Sequence, residues 1–313
     1  STLRLMAGVL IGFAIIVAVI AVGYLVARIG LLGEGAAPML QRLAFFVLLP
    51  ALLFTVLAGS DVHRLFSRLL PVSAIAAVVV IAVYLVVALG VWRRPVPDAT
   101  LGALGAGYVN SNNIGLPVSL YVLGDASSSA PVILLQLVVL APIALTVLDL
   151  TTSSTRSVRR ILLQPVRNPL IIASALGLLV AVTGLPVPQA ILDPFELIGG
   201  AGIPVVLIAF GISLHGARPL APGPERRDVV LAALLKLLAM PLVAWAVGRF
   251  LFGMQGHDLF VVVVLAALPA AQNVFTYAQR YGRGEVLARD IVLVTTAASV
   301  VVLAATAALL GPN

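Results

Sequence analysis

The sequence predicts an all-α polytopic membrane protein with ten transmembrane helices. Three observations carry this. Of its 313 residues 61% are hydrophobic and 10% are charged, with a mean hydropathy of +1.16; a soluble domain carries about 25% charged residues. Apolar stretches of roughly 20 residues recur, the length that crosses a bilayer at 1.5 Å rise per residue. The charged residues fall between those stretches, as punctuation.

Taken in order, the spans read 5–28, 36–58, 69–91, 99–123, 130–150, 168–184, 189–214, 228–252, 258–280 and 286–310. The first is followed by many like it, so it reads as a spanning helix rather than a cleaved signal peptide. Span 2 carries FFVLLPALLF, with Pro50 as a packing kink. Span 4 carries NSNNIGLPVS, four polar residues followed by Gly115 and Pro117. Span 7 carries GGAGIPVVLIAFG, with Pro204 as a second kink; Gly199, Gly200, Gly202 and Gly211 read as close helix contacts. At its outer end, Asp193 before Pro194 has the pattern of a helix cap. Span 8 holds Lys236, and span 9 holds ALPAAQNVFTYAQRYG.

Orientation follows from the basic residues. Thirteen arginines fall on the side that holds the loop after span 1, and four fall on the other. That makes the first side cytoplasmic and both termini extracytoplasmic. The net charge of +7 thus belongs to loops and does not call for nucleic acid. There is no cysteine, hence no disulfide or thiolate metal site. His63, His215 and His257 fall in separate loops and form no metal or catalytic cluster.

The longest connection, within TTSSTRSVRRILLQPVRNP, divides the chain into residues 1–150 and 168–313, joined by the cytoplasmic loop 151–167. Five spans per half turn the second half the other way up. Punctuation repeats between halves. The offset from Pro50 to Pro204 equals that from Gly30 to Gly184, and the offset from Asn113 to Asn273 is close to it. Matched, interrupted hydrophobic segments point to a transporter binding site.

The chemistry of the two breaks supports that reading. Pro117 lacks an N–H and disfavours helix before it; Gly115 admits conformations other residues resist. Non-helical backbone at membrane depth survives only where protein buries it or water fills a cavity. Amide side chains then offer donors and acceptors. A half-helix starting at the break aims its positive end at an anion. If spans 4 and 9 cross there, Asn112, Asn113, Gln272, Asn273, Thr276 and Tyr277 surround one small site, with Gly115, Pro117 and Pro269 shaping the break. The same amides could instead tie helices together by hydrogen bonds. Residue types alone leave both readings open; matched clusters in both halves favour the site.

Lys236 is the only lysine and lies within a span, a functional candidate as ion-pair partner, counter-charge or coupling residue, or a side chain that snorkels to the cytoplasmic face. Arg42 reads as snorkelling too. No Asp or Glu falls in either break, so no carboxylate proton relay is visible there. A sodium ion could still be held by carbonyls and amides. A carrier of small organic anions, a channel or receptor-like sensor, and an intramembrane enzyme are the classes to weigh. The chain has neither a Walker motif nor HExxH, which disfavours ATP drive and the enzyme.

At FFVLLPALLF, GYVNSNNIGLPVSLYVLGD, NPLIIASALGLL, GAGIPVVLIAFGISL, LKLLAMPLV and LPAAQNVFTYAQRYG the chain resembles the auxin efflux carrier family, which includes the plant PIN auxin exporters. The resemblance spans nearly the whole chain. It implies two inverted five-helix repeats with broken, crossing helices 4 and 9, a fold like that of sodium/proton antiporters and bile acid symporters. It implies a scaffold of helices 1, 2, 6 and 7 and a moving domain of helices 3–5 and 8–10, working as an elevator and as a homodimer. The implied substrate is a small organic anion such as malonate, malate or an auxin-like weak acid, with no cofactor beyond a coupling sodium ion or proton. The implied setting is the bacterial inner membrane. The long cytoplasmic loop of many plant members is absent, so its regulation by phosphorylation is not expected here.

Overall fold

A computed structural model describes residues 2–33, 35–60, 67–115, 118–119, 122–124, 126–152, 169–216, 220 and 225–311. Pro117 and the connection at 153–168 lie outside these. The described chain is helical throughout, apart from one isolated antiparallel bridge.

Its helices are α1 (Thr2–Arg28), α2 (Ala36–Ala58), α3 (Leu69–Val91), α4 (Val96–Gly107), α5 (Ala130–Thr152), α6 (Pro169–Thr183), α7 (Gln189–Leu214), α8 (Arg226–Leu251), α9 (Gly256–Ala267), α10 (Gln272–Tyr281) and α11 (Glu285–Leu310). Six of them, α2, α3, α5, α7, α8 and α11, are long and apolar enough to cross a membrane. Large apolar side chains such as Leu197, Phe250, Val301 and Leu309 point outward. In water such a surface would aggregate; in lipid it is the normal exterior.

Prolines bend three of these helices in one way. Pro50, Pro142 and Pro241 each follow, by two residues, a wide π turn: Ala44–Leu48, Gln136–Leu140 and Leu235–Ala239. A proline ring clashes with the carbonyl four residues back and supplies no N–H. An extra residue in the turn relieves that clash, and the next N–H bonds five residues back, as in Leu49 to Ala44 and Met240 to Leu235. Asp193 departs from the sequence expectation. It lies inside α7 with Pro194, caps nothing, and accepts a hydrogen bond from Gln189 Nε2 at 2.8 Å.

Two packing groups emerge. In one, α1 lies along α7, and α2 lies along α6 and the first half of α7. In the other, α3, α4, α8, α9 and α11 pack mutually, with α5 on α4 and α10 on α11. The first group is joined backbone to backbone at glycines. A Cβ on Gly23 would lie 2.1 Å from the Ile208 carbonyl oxygen, and one on Gly211 would lie 2.0 Å from that of Ile20. Gly177 and Gly199 approach α2 in the same manner. Gly200, grouped with them from sequence, meets nothing within 4 Å and is not a contact. Lipid gives helices little hydrophobic reason to associate, so small residues that permit close approach carry the packing.

The halves also share local geometry. At the end of α3, Trp92 N–H bonds Val87 O and Arg94 N–H bonds Ala88 O, with Arg93 left-handed at φ 51°. The end of α8 repeats the pattern in the second half: Phe252 bonds Val247, Met254 bonds Gly248, and Gly253 has φ 62°. Gly30 and Gly184 close α1 and α6 at φ 69° and 64°.

Candidate functional site

Helix α4 stops at Gly107, and residues 108–110 run extended or irregular before one π turn, Ser111–Gly115. Helix α9 stops at Ala267, and Leu268 to Ala271 run extended into α10. These two interruptions lie against each other. Val109 and Ala270 form the antiparallel bridge; Asn110 N–H donates to Pro269 O at 2.8 Å, and Ala271 N–H donates to Tyr108 O at 2.9 Å. Each break thus satisfies part of the backbone that the other leaves open, in a region where every one of these residues is buried.

Two side chains complete the arrangement. Gln136, in the π turn of α5, donates Nε2 to Ser111 Oγ at 2.7 Å. Thr295 of α11 accepts from Ala270 N–H at 3.1 Å and donates to Ile291 O at 2.7 Å. The offset from Gln136 to Thr295 is the same as that from Ser111 to Ala270, so the two supports hold matching places in the two halves. Sequence reasoning missed both supports. Their only signal is a polar interruption of an apolar run, one residue in ILLQLVVL and a pair of threonines in IVLVTTAAS. Thr295→Val, nearly the same shape, should leave the buried Ala270 N–H unpaired and cost about 1–3 kcal/mol. Thermal unfolding of the purified protein reads this; Thr295→Ser should retain the stability.

A small hollow of about 10 Å³ lies at the crossing, room for one water. Asn110, Ser111, Gln136 and Asn273 line it, and the oxygen of the buried Gln136 amide has no partner among the described residues. Asn273 is half-buried at the start of α10, the helix that follows the second break.

The other candidates fall as follows. Asn112 and Asn113 have their backbone in the π turn, and their side chains lie outside the described residues, as does Pro117. Gln272 is buried at the first turn of α10 but does not line the hollow. Tyr277 is fully buried, its ring edge-on to Phe45 and Tyr108. Thr276 lines a separate, larger pocket toward the end of α10. Pro269 contributes its carbonyl to the crossing. Gly115 is there for space, since its φ is not left-handed; a Cβ would crowd Leu268, Ser129 and the Asn110 carbonyl at 3.1–3.3 Å.

Lys236 does not snorkel. It is fully buried in α8, and its Nζ donates to Ala266 O at 2.7 Å and contacts Met240 Sδ at 3.0 Å. Ala266 belongs to the last turn of α9, whose carbonyls have no helical partner and carry the negative end of the helix dipole. Lys236 therefore caps the half-helix that ends at the crossing, from outside the hollow.

Comparison with known proteins gives the chain a family. The chain matches the family described as membrane transport protein over residues 9–152 and 144–306. It is 26% identical over 288 residues to a "Putative malonate transporter" of Rhizobium meliloti (strain 1021), covering 89% of this chain and 88% of the relative. An "Uncharacterized transporter" of Methanothermobacter thermautotrophicus is 26% identical over 82% of this chain and 83% of its own. The "Uncharacterized transporter YfdV" of Escherichia coli (strain K12) is 25% identical over 85% and 86%. The chain is an integral membrane protein of the membrane transport protein family, that of the auxin efflux carriers.

Proposed function

We propose that the protein is a secondary transporter of a small organic anion, a short carboxylate such as malonate or malate, bound where the two breaks cross. The observation that carries this reading is the mutual pairing of two buried, non-helical segments, Tyr108–Asn110 and Pro269–Ala271. Paired interruptions meeting at that depth, one from each half, are the arrangement in which inverted-repeat transporters bind substrate. The start of α10 adds a partial positive charge, which suits a carboxylate. Asn273 lines the crossing, and Asn112, Asn113 and Gln272 are the further amides this reading assigns to the substrate. The printed name of the Rhizobium meliloti relative supports malonate as the first substrate to try.

Alternating access would move α3–α5 and α8–α11 as one body past α1, α2, α6 and α7. The division of packing into those groups supports this. So do the helix ends repeated between the two halves, which suit a ten-helix inverted repeat. A hollow with room for one water suits a closed carrier better than an open pore. In this reading the arginine-rich side is cytoplasmic, both termini are extracytoplasmic, and the working unit is a homodimer in the bacterial inner membrane. No carboxylate lines the hollow among the described residues, so coupling to sodium or to protons is a matter for direct test.

Uptake of labelled malonate into proteoliposomes tests the proposal, with and without a sodium gradient and at two pH values. Saturable uptake is expected, and Asn273→Ala should lower it about tenfold or more, the loss of one hydrogen bond to a charged group. Conductance far above carrier turnover would instead make the protein a channel. Binding without uptake would make it a sensor, and unchanged uptake in Asn273→Ala would move the site away from the crossing.

A further inference from the structure

A pocket of about 350 Å³ lies between the second turn of α2 and the last two turns of α10. That volume is in the range of small-ligand sites. Gln41, Arg42 and Phe45 line it from α2; Thr276, Gln279 and Arg280 line it from α10. Neither arginine forms an ion pair among the described residues, whereas Arg94, Arg283 and Arg289 each do. The Arg280 guanidinium rests instead on aromatic faces, 5.3 Å from the Phe45 ring centre and 5.7 Å from that of Tyr281. The Gln41 side chain is 5% exposed, and its amide oxygen is buried without a partner; the amide oxygen of Gln279 is likewise buried and unpartnered.

These features belong to a ligand site. A cation–π contact near the surface is worth about 0.5–1 kcal/mol, less than a forked guanidinium–carboxylate pair. An arriving carboxylate can therefore lift Arg280 from its rings. Two guanidiniums on two separate helices match two carboxylates on one ligand. The amide nitrogens of Gln41 and Gln279 can donate to its remaining carboxylate oxygens.

We infer that Arg42 and Arg280 form a recruiting site for a short-chain dicarboxylate, about 10 Å along α10 from Asn273. The inference rests on the proposed anion transport and narrows its substrate to dianions. Thr276, one turn from Asn273, links this pocket to the crossing. Because α2 and α10 fall in different packing groups, a bound dianion also bridges them.

Calorimetric titration of the detergent-purified full chain tests this, with malonate and succinate set against acetate and propionate. The variants are Arg42→Gln, Arg280→Gln, their double, Arg42→Lys, Arg280→Lys and Asn273→Ala. Both arginines are exposed, so the variants should melt close to wild type. Each Gln variant should weaken dicarboxylate binding about tenfold, the double variant further, and monocarboxylate binding less than about threefold. The Lys variants should recover part of the loss, because a point charge remains but the fork does not.

Dicarboxylate affinity within about twofold of wild type in the double variant, with binding still lost in Asn273→Ala, overturns the inference and leaves anion transport standing. Wild-type protein that binds neither class defeats both. An arginine effect seen only as loss of co-purified anionic lipid assigns the pocket to a lipid headgroup and also overturns the inference.

Discussion

Gly211→Ala should destabilise the folded protein by more than about 3 kcal/mol, beyond the usual cost of an added methyl in a packed core. The new Cβ would stand 2.0 Å from the Ile20 carbonyl oxygen, 2.9 Å from the Tyr24 nitrogen and 3.0 Å from Gly23 Cα. These are backbone atoms, which cannot turn aside as a side chain can. Relief requires α1 and α7 to part along their length, and α1 has no more extensive contact than this one. Gly200→Ala, in the same helix, should be neutral or stabilising by up to about 1 kcal/mol, because alanine favours helix over glycine and the position is open. Thermal unfolding of both variants in one detergent decides the matter. Equal melting temperatures would show that the glycine contact does not hold the helices together.

Asp228→Ala should cost about 3 kcal/mol, the low end for breaking a buried ion pair because the Arg94 side chain is 20% exposed. Asp228 is 2% exposed in the first turn of α8, where the helix dipole favours a carboxylate. Arg94 grips it with two nitrogens, Nε donating to Oδ1 at 3.1 Å and a terminal nitrogen donating to Oδ2. The hydrogen bonds from Asp228 raise the pKa of Arg94 above its already high ordinary value, so the guanidinium keeps its charge at any working pH. Removing the carboxylate takes away both of the hydrogen bonds by which Asp228 holds that charge at the corner where α3 turns into α4. Asp228→Asn keeps an acceptor and should cost less. The measurement is again the melting temperature, and an Ala variant that melts with wild type would mean the pair contributes nothing net.

Apolar length made most helices legible, because a bilayer imposes one length on every span. The breaks were legible for a related reason: Asn, Gly and Pro inside an apolar run have few structural excuses. Their partners were not. A glutamine or threonine in an apolar helix does not reveal which neighbour it meets, so Gln136 and Thr295 went unread. Gly200 and Gly211 look alike in sequence and differ wholly in contact, since only the fold decides which face meets another backbone. The lysine was visible as an anomaly, but its partner, a carbonyl in the last turn of α9, depends on where that helix stops. The π turns escaped notice because proline marks a kink without saying how the preceding turn absorbs it.

The two bonds that join the breaks also set a schedule for making the protein. Tyr108 O waits for the N–H of Ala271, and Asn110 N–H waits for the carbonyl of Pro269, partners encoded half a chain later. A ribosome adding ~5–20 residues per second needs about 10–30 s to deliver them. During that interval the first half sits in the membrane with polar backbone exposed at its midpoint. The half-finished chain is thus a polar wound that only its own second half can close, and translation speed sets how long the cell's quality control can see it.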